Sequence, residues 1–312
     1  MNKSFNVNKK INRLKSAISI CVPSNQRQFD NWGDKYYALS FQKALRSHSI
    51  NTDILYMDEW QKATNYDILI NIRGLKAFSP PKHIPLKILW QINHPELNTI
   101  EELSSYDKLF IASEYYTEIL QKNLITAEFL PQAGDEHNFS EQKTNKEFDV
   151  LFVGNNHNAQ SGAKRKIVED LFKKTIDFNL KIVGASWHNI IPEQYILSDF
   201  VEWKDLPKLY SSAKIVLNDH QDTMAKFGFI NNRCFDLSLM KQFQISDYVP
   251  GIEKYNIITY QEPLDLHNKI KYYLQNEDER HRQAKITYLL AKEETFANRA
   301  VTIFNYIKGI LG

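Results

Sequence analysis

Short apolar runs alternate with longer stretches of helical period along most of this chain. The runs fall at Ala17–Val22, Thr52–Tyr56, Ile68–Ile72, Lys87–Ile92, Leu109–Ala112 and Glu128–Leu130. A second series follows at Val150–Val153, Lys181–Val183, Ile215–Leu217 and Gln244–Ser246. Helical patterns lie between them at Lys35–Ser47, Glu114–Lys122, Lys164–Lys173, Leu206–Ser211, Arg233–Met240 and Leu266–Gln275. One further helical stretch is expected from about Tyr288 to Ile310. Parallel strands must be joined by a crossover, usually a helix, so strict alternation of this kind predicts α/β architecture built from βαβ units.

The segment Gln132 to Phe148 is polar and poor in apolar residues, and a fresh strand follows it. It predicts a boundary between a first domain over 1–135 and a second over 136–287, with the helix at about 288–312 returning to the first. Each half is then a doubly wound sheet, and such sheets bind ligands outside the carboxyl ends of their strands.

The charge balance narrows the partners. The net charge of this 312-residue chain is +2, so no strong field recruits nucleic acid. Lys3, Lys9, Lys10, Arg13 and Lys15 form a basic arm without an acid; it reads as a solvated tail with at most peripheral membrane contact. Cys21 and Cys234 are far apart and fit neither a disulfide framework nor a metal site. The apolar run after the arm is too short for a signal-peptide core, and a cytoplasmic location is expected.

Candidate site residues sit where strands give way to loops. Asn31-Trp32-Gly33-Asp34 closes the loop after the first strand. Gly33 allows a close backbone approach, and Asp34 either caps the next helix or faces a ligand as a base. Arg73-Gly74 follows the third strand, and Asn93-His94-Pro95-Glu96 the fourth. His94 titrates near neutrality when unperturbed, although a histidine before proline also serves structure alone. In the second half Val153-Gly154-Asn155 turns out of a strand, and Lys164-Arg165-Lys166 opens a helix. Cations there oppose the helix dipole, which favours an anionic partner such as a pyrophosphate.

The block Phe227–Glu253 carries Asn231, Asn232 and Arg233 at a helix start, with Asp236 one turn in. That end of a helix suits a phosphate, and a carboxylate there can accept two hydrogen bonds from a ribose diol. The same four residues also make an ordinary capped, solvated helix start. GxGxxG, P-loop, HExxH, CxxC, GxSxG and DxD patterns are all absent from the sequence.

Taken in order, these landmarks resemble the GT-B glycosyltransferases of the spore-maturation-protein-like and family 4-like group. They are the NWGD loop, the Arg73-Gly74 turn, the NHPE segment, YDKLFIAS at Tyr106–Ser113 and DVLFVGN at Asp149–Asn155. LYSSAKIVLND at Leu209–Asp219 and the NNRCFDLSLMKQFQISDYVPGIE block complete them. The resemblance implies two Rossmann-like domains facing across a cleft, the last helix crossing back to the first domain.

It also implies a division of roles. The second domain would hold a nucleotide-diphosphate sugar such as a UDP-sugar, through Gly154, Asn155, Arg165, Lys166, Asn231, Asn232, Arg233 and Asp236. Asp236 takes the place of the acidic ribose ligand. The first domain would meet a glycan, lipid-linked or protein acceptor through Asn31, Trp32, Gly33, Arg73 and Glu96. Asp34 or His94 would act as base if the reaction inverts; if it retains, as in the family type, the diphosphate can assist instead. Neither a metal nor a cofactor is expected. The chain departs from the pattern in having Asp236 where many relatives carry Glu, and Leu237–Gln242 where they carry small residues and glycine. The alternatives are a nucleotide-sugar-binding protein without turnover, and a transferase acting on nucleic acid, against which the balanced charge speaks.

Overall fold

The computed structural model describes residues 13–22, 24, 33–156 and 165–311. Asn31, Trp32 and Lys164 therefore lie outside the described residues. The chain divides into two compact units, Met1–Ala133 with Glu294–Gly312, and Gly134–Glu293.

The first unit contains strands β1 (Ser16–Ile20), β2 (Thr52–Leu55), β3 (Ile68–Arg73), β4 (Leu86–Gln91), β5 (Lys108–Ile111) and β6 (Glu128–Phe129). All pair in parallel, in the order β2-β1-β3-β4-β5-β6. Helices α1 (Gly33–Ser47), α2 (Ile100–Ser104) and α3 (Glu114–Lys122) belong to the crossovers. Every residue of β1 and β3 is buried, as strands covered on both faces must be. On one face Ala17, Leu55, Leu69, Phe78 and Ile84 form a core. Trp90 of β4 is fully buried, packs against Tyr37 and Phe41 of α1, and donates its indole N–H to the Leu130 carbonyl at 3.0 Å.

The second unit contains β7 (Phe148–Val153), β8 (Leu180–Val183), β9 (Ile196–Ser198), β10 (Ala213–Asn218), β11 (Gln244–Asp247) and β12 (Ile258–Tyr260). Its order is β12-β11-β10-β7-β8-β9. Helices α4 (Lys166–Leu171), α5 (Leu206–Ser211), α6 (Asp222–Phe227), α7 (Asn232–Leu239), α8 (Pro263–Gln275) and α9 (Glu277–Ala291) accompany it. The pleat of β7 sends Val150 and Phe152 into one core and Leu151 and Val153 into another. β9 and β12 were not legible in the sequence. Each has three residues and sits at an edge of the sheet, too short to display a period.

The expected single helix from Tyr288 to Ile310 is instead two. It breaks between α9 and α10 (Phe296–Leu311). Thr295 ends the interruption: its hydroxyl accepts the Asn298 N–H at 3.3 Å, a capping bond that starts the new helix. The boundary between the two units falls at the same break. Phe296 then inserts its ring against Tyr37, centroids 4.7 Å apart, and beside Phe41 at 6.4 Å. Arg299 donates to the Pro131 carbonyl at 2.8 Å and the Gln132 carbonyl at 3.2 Å, and pairs with Glu294.

Phe296 is 3% exposed, so Phe296→Ala leaves a cavity under α10. The variant is expected to lose about 3–5 kcal/mol in denaturant unfolding. A loss below ~1 kcal/mol would mean that this ring does not anchor the helix.

Candidate functional site

Each sheet reverses its strand order at one place. In the second unit the chain winds outward from β7 through β8 and β9, returns to β10, and winds the other way through β11 and β12. The connections leaving β7 and β10 therefore diverge, and a crevice opens at their carboxyl ends. In the first unit the same reversal lies between β1 and β3.

At the second unit's crevice the turn after β7 is pinned from below. Gly154 N–H donates to the Val183 carbonyl at 2.8 Å, and the Trp187 indole N–H donates to the Gly154 carbonyl at 2.7 Å. Asn155 Oδ1 accepts the Ala185 N–H at 2.9 Å. Gly184, at φ +146°, passes so close that a Cβ there would lie 2.2 Å from the Gly154 oxygen. Arg165 reaches back over this turn. Its Nε donates to the Asn155 carbonyl at 3.0 Å and its Nη1 to Asp219 Oδ1 at 3.0 Å. Asp219 follows β10, and its side chain is fully buried. Burial pushes its pKa up, against the pull of Arg165. Among the described residues Asp219 Oδ2 has no hydrogen-bond partner.

The neighbouring His220 is also buried, and its Nδ1 lies 2.7 Å from Asp247 Oδ1. Burial opposes a second proton on this ring, but Asp247 outweighs it and pushes the pKa up to about 10, against the geometry at the ring's other nitrogen. The Asn231 N–H points at Nε2 from 3.1 Å and decides for the neutral ring, protonated on Nδ1. Asn231 caps α7: its side chain accepts the Cys234 N–H and donates to the Asp219 carbonyl at 2.9 Å. It thus ties the start of α7 to the end of β10. Arg233 lies within electrostatic reach of Tyr210, Asp219 and Asp236.

Two residues expected at this site have other surroundings. Asp236 is 5% exposed. Its Oδ1 accepts the Asp135 N–H at 2.8 Å and its Oδ2 the Asn232 amide at 3.1 Å. Oδ1 holds the loop at Asp135 to α7 and Oδ2 bonds back within α7, so the expected ribose ligand is here a carboxyl of the interior. Burial pushes its pKa up to about 8. Lys166 pairs with Asp170 inside α4, at 2.5 Å, rather than with the Gly154 turn.

At the first unit's crevice Asp34 stands in the first turn of α1, which Gly33 opens. A Cβ on Gly74 would lie 3.0 Å from Asp34 Oδ2 and 3.3 Å from Cys21 Cβ, so the carboxyl rests directly on the turn after β3. Burial pushes the Asp34 pKa up, and the nearby His94 opposes this. His94 sits in the left-handed region at φ +50°, its Nδ1 3.0 Å from Glu96 Oε1. The structure thus brings Asp34, Gly74 and His94 together, with Glu96 beside His94.

Arg73 lies beneath them rather than among them. Its side chain is fully buried and paired with Glu102 at 3.2 and 3.1 Å. Its remaining N–H groups go to the carbonyls of Gly74, His94 and Leu97. All five guanidinium donors are spent inside the unit, so Arg73 braces the two loops and has none left for a ligand.

A cavity of about 600 Å³ opens elsewhere, lined by Arg13, Lys15, Arg46, Thr52, Asp53 and others. It lies at the amino ends of β1 and β2, the pole opposite Asp34, and shares no residue with the crevice. Among the described residues no cluster of His, Cys, Asp and Glu could hold a metal ion, and no helix is long and apolar enough to cross a membrane.

Asp219, His220, Asp247 and Asp135 were not singled out from the sequence. The available signal was the polar triplet Asn218-Asp219-His220 at the end of an apolar run, the position that a parallel sheet turns toward its ligand.

Comparison with known proteins accords with this geometry. A family model described as glycosyl transferase-like matches residues 160–305. The spore protein CgeB of Bacillus subtilis (strain 168) is 26% identical over 129 residues, which are 36% of this chain and 41% of CgeB. The chain thus aligns with less than half the length of this curated relative. An alpha-glucosyltransferase solved with UDP and a 13-mer DNA containing an HMU base has the same fold at TM-score 0.67, with 12% identity over 95% of this chain and 99% of its own. The T4 phage BGT solved with UDP-glucose matches at TM-score 0.64 and 15% identity, over 96% and 99% of the two chains. The T4 phage BGT solved with UDP and Mn2+ matches at 0.63 and 14%, over the same shares.

The chain has the GT-B fold, and its residues 160–305 are similar to glycosyl transferase-like proteins. In this GT-B chain the matched region includes Arg165, Asp219, His220, Asn231, Arg233 and Asp236, the residues around the second crevice.

The raised carboxyl at Asp236 has a consequence for stability. Folding keeps it protonated up to about pH 8, whereas its ordinary value is 3.8. Its contribution is complete below pH ~4 and is lost as pH rises through about 8. The stability difference between wild type and Asp236→Asn is expected to move toward the variant across that window, by up to about 1.4 kcal/mol per pH unit in urea unfolding. A pH-independent difference would contradict a neutral interior carboxyl.

Proposed function

We propose that the protein transfers a sugar from a UDP-sugar, with the unit Gly134–Glu293 holding the nucleotide and the unit built on β1–β6 receiving the acceptor. The observation that carries this reading is Arg165, a guanidinium held at the strand-order reversal of a Rossmann-type sheet. As the sugar leaves, charge develops on the diphosphate, and preorganised cations in a site of low dielectric stabilise that charge. Arg165 is assigned this role, with Arg233 in support. In the same reading the reaction runs without a metal, because these cations meet the diphosphate themselves.

Asp34 and His94 receive the acceptor hydroxyl. A carboxyl whose pKa burial pushes up is suited to share a proton. We assign a retaining outcome, in which the departing diphosphate assists deprotonation and Asp34 positions the hydroxyl. The acceptor we propose is a glycan, a lipid-linked saccharide or a protein. The second reading is a DNA acceptor, suggested by the neighbour solved with a modified 13-mer; the net charge of +2 weighs against it.

UDP release from UDP-glucose, UDP-galactose and UDP-N-acetylglucosamine, with and without EDTA, tests the donor assignment. Wild type is expected to turn over one of them in either condition. Arg165→Ala is expected to lose about 100-fold in kcat/KM, or about 2.7 kcal/mol of transition-state stabilisation. No UDP release from any donor, or full turnover by the variant, would remove the assignment. Asp34→Asn is expected to lower transfer at least ~10-fold while leaving UDP affinity within about twofold. Equal loss of both would place Asp34 on the donor side.

A further inference from the structure

Arg73 and Arg165, one at each crevice, are both held by the protein and differ in the donors left over. Arg73 gives every N–H of its guanidinium to the protein. Arg165 gives Nε to the Asn155 carbonyl and Nη1 to Asp219 Oδ1, and its Nη2 has no partner among the described residues. Its side chain keeps 14% exposure, against 0% for Arg73. A fork fixed at two corners and open at the third is oriented for a further anion.

We infer that Asp219 is the positioning residue of the donor site, aiming the open edge of Arg165 at the nucleotide's diphosphate. The inference rests on the reading that this unit binds UDP. Asp219 is suited to the task by its place in the fold. It follows β10 directly, on the strand that flanks the reversal, and its side chain is wholly buried. Its main-chain carbonyl accepts the Asn231 amide, so the same residue that holds Arg165 also holds the cap of α7 and hence the approach of Arg233. His220 beside it is locked to Asp247 and to the Asn231 N–H, which fixes the backbone on which the carboxylate stands. Without the carboxylate, Arg165 keeps only the Asn155 carbonyl, and a long side chain on one hydrogen bond samples many rotamers. A carboxylate that served stability alone would complete its own hydrogen bonds; Asp219 Oδ2, in the interior, has no partner among the described residues.

The test compares UDP with uridine, which lacks the phosphates, by calorimetry on the full chain. Asp219→Asn keeps the shape and removes the charge. It is expected to weaken UDP about tenfold and to leave uridine within about twofold. Arg165→Lys keeps the charge and loses the fork, and is expected to show the same selective loss. In the double variant Asp219→Asn/Arg165→Ala, UDP binding should be no weaker than in Arg165→Ala alone, because the two residues act as one unit. The inference is overturned if Asp219→Asn binds UDP as wild type does, if UDP and uridine weaken together, or if the two losses add. Should Asp219→Asn fail to fold, unchanged UDP affinity in Arg165→Lys overturns it instead. A wild-type protein that binds no UDP removes the donor reading itself, and this inference with it.

Discussion

A parallel sheet that changes its winding direction leaves two neighbouring strands whose following loops run apart. Nothing in the backbone hydrogen bonding can close that gap, so side chains must line it. Here the gap occurs once in each unit, between β1 and β3 and between β7 and β10. Asp34 and Gly74 meet at the first, Arg165 and Asp219 at the second. The placement of chemistry in this molecule follows from that topological constraint before any particular residue is considered.

What the residues add is rigidity. In the first unit the buried Arg73–Glu102 pair holds the carbonyls of Gly74, His94 and Leu97, so two loops from different strands share one guanidinium. A buried charge pair carries a desolvation cost that its attraction offsets only with good geometry and extra hydrogen bonds. Arg73 has both. In the second unit the Gly154 turn is fixed by Trp187 and by the near contact of Gly184, and α7 is fixed by Asn231. Arg165 links the turn to Asp219 at the end of β10. The loops of the site are thus mounted on a scaffold that needs little rearrangement to present their polar groups.

The architecture was legible because alternating apolar runs and helical periods read directly as βαβ units. Among the described residues, the strands β1–β8, β10 and β11 announced themselves this way. β9 and β12 did not, being three-residue edges, and neither did the break at Thr295, where nothing in the local composition interrupts a helical pattern. The site was legible at the level of loops and less so at the level of side chains. Arg165 stood out in a basic triplet at a helix start and Asp34 beside a glycine at the close of a loop. Asp236 stood out one turn into a helix start and Arg73 beside a glycine turn, yet the fold buries both, since burial is decided by which distant segments pack over them. Asp219 was visible only as the end of an apolar run. Its partner Arg165 lies 54 positions away, a distance over which a sequence read locally shows no pairing.

The account turns on where the diphosphate binds. A crystal structure of the protein soaked with UDP measures that directly. The account predicts diphosphate oxygens within about 3 Å of the Arg165 guanidinium, beside the Gly154-Asn155 turn, with the Arg165–Asp219 pair intact. An ordered UDP whose phosphates lie away from Arg165 would contradict it.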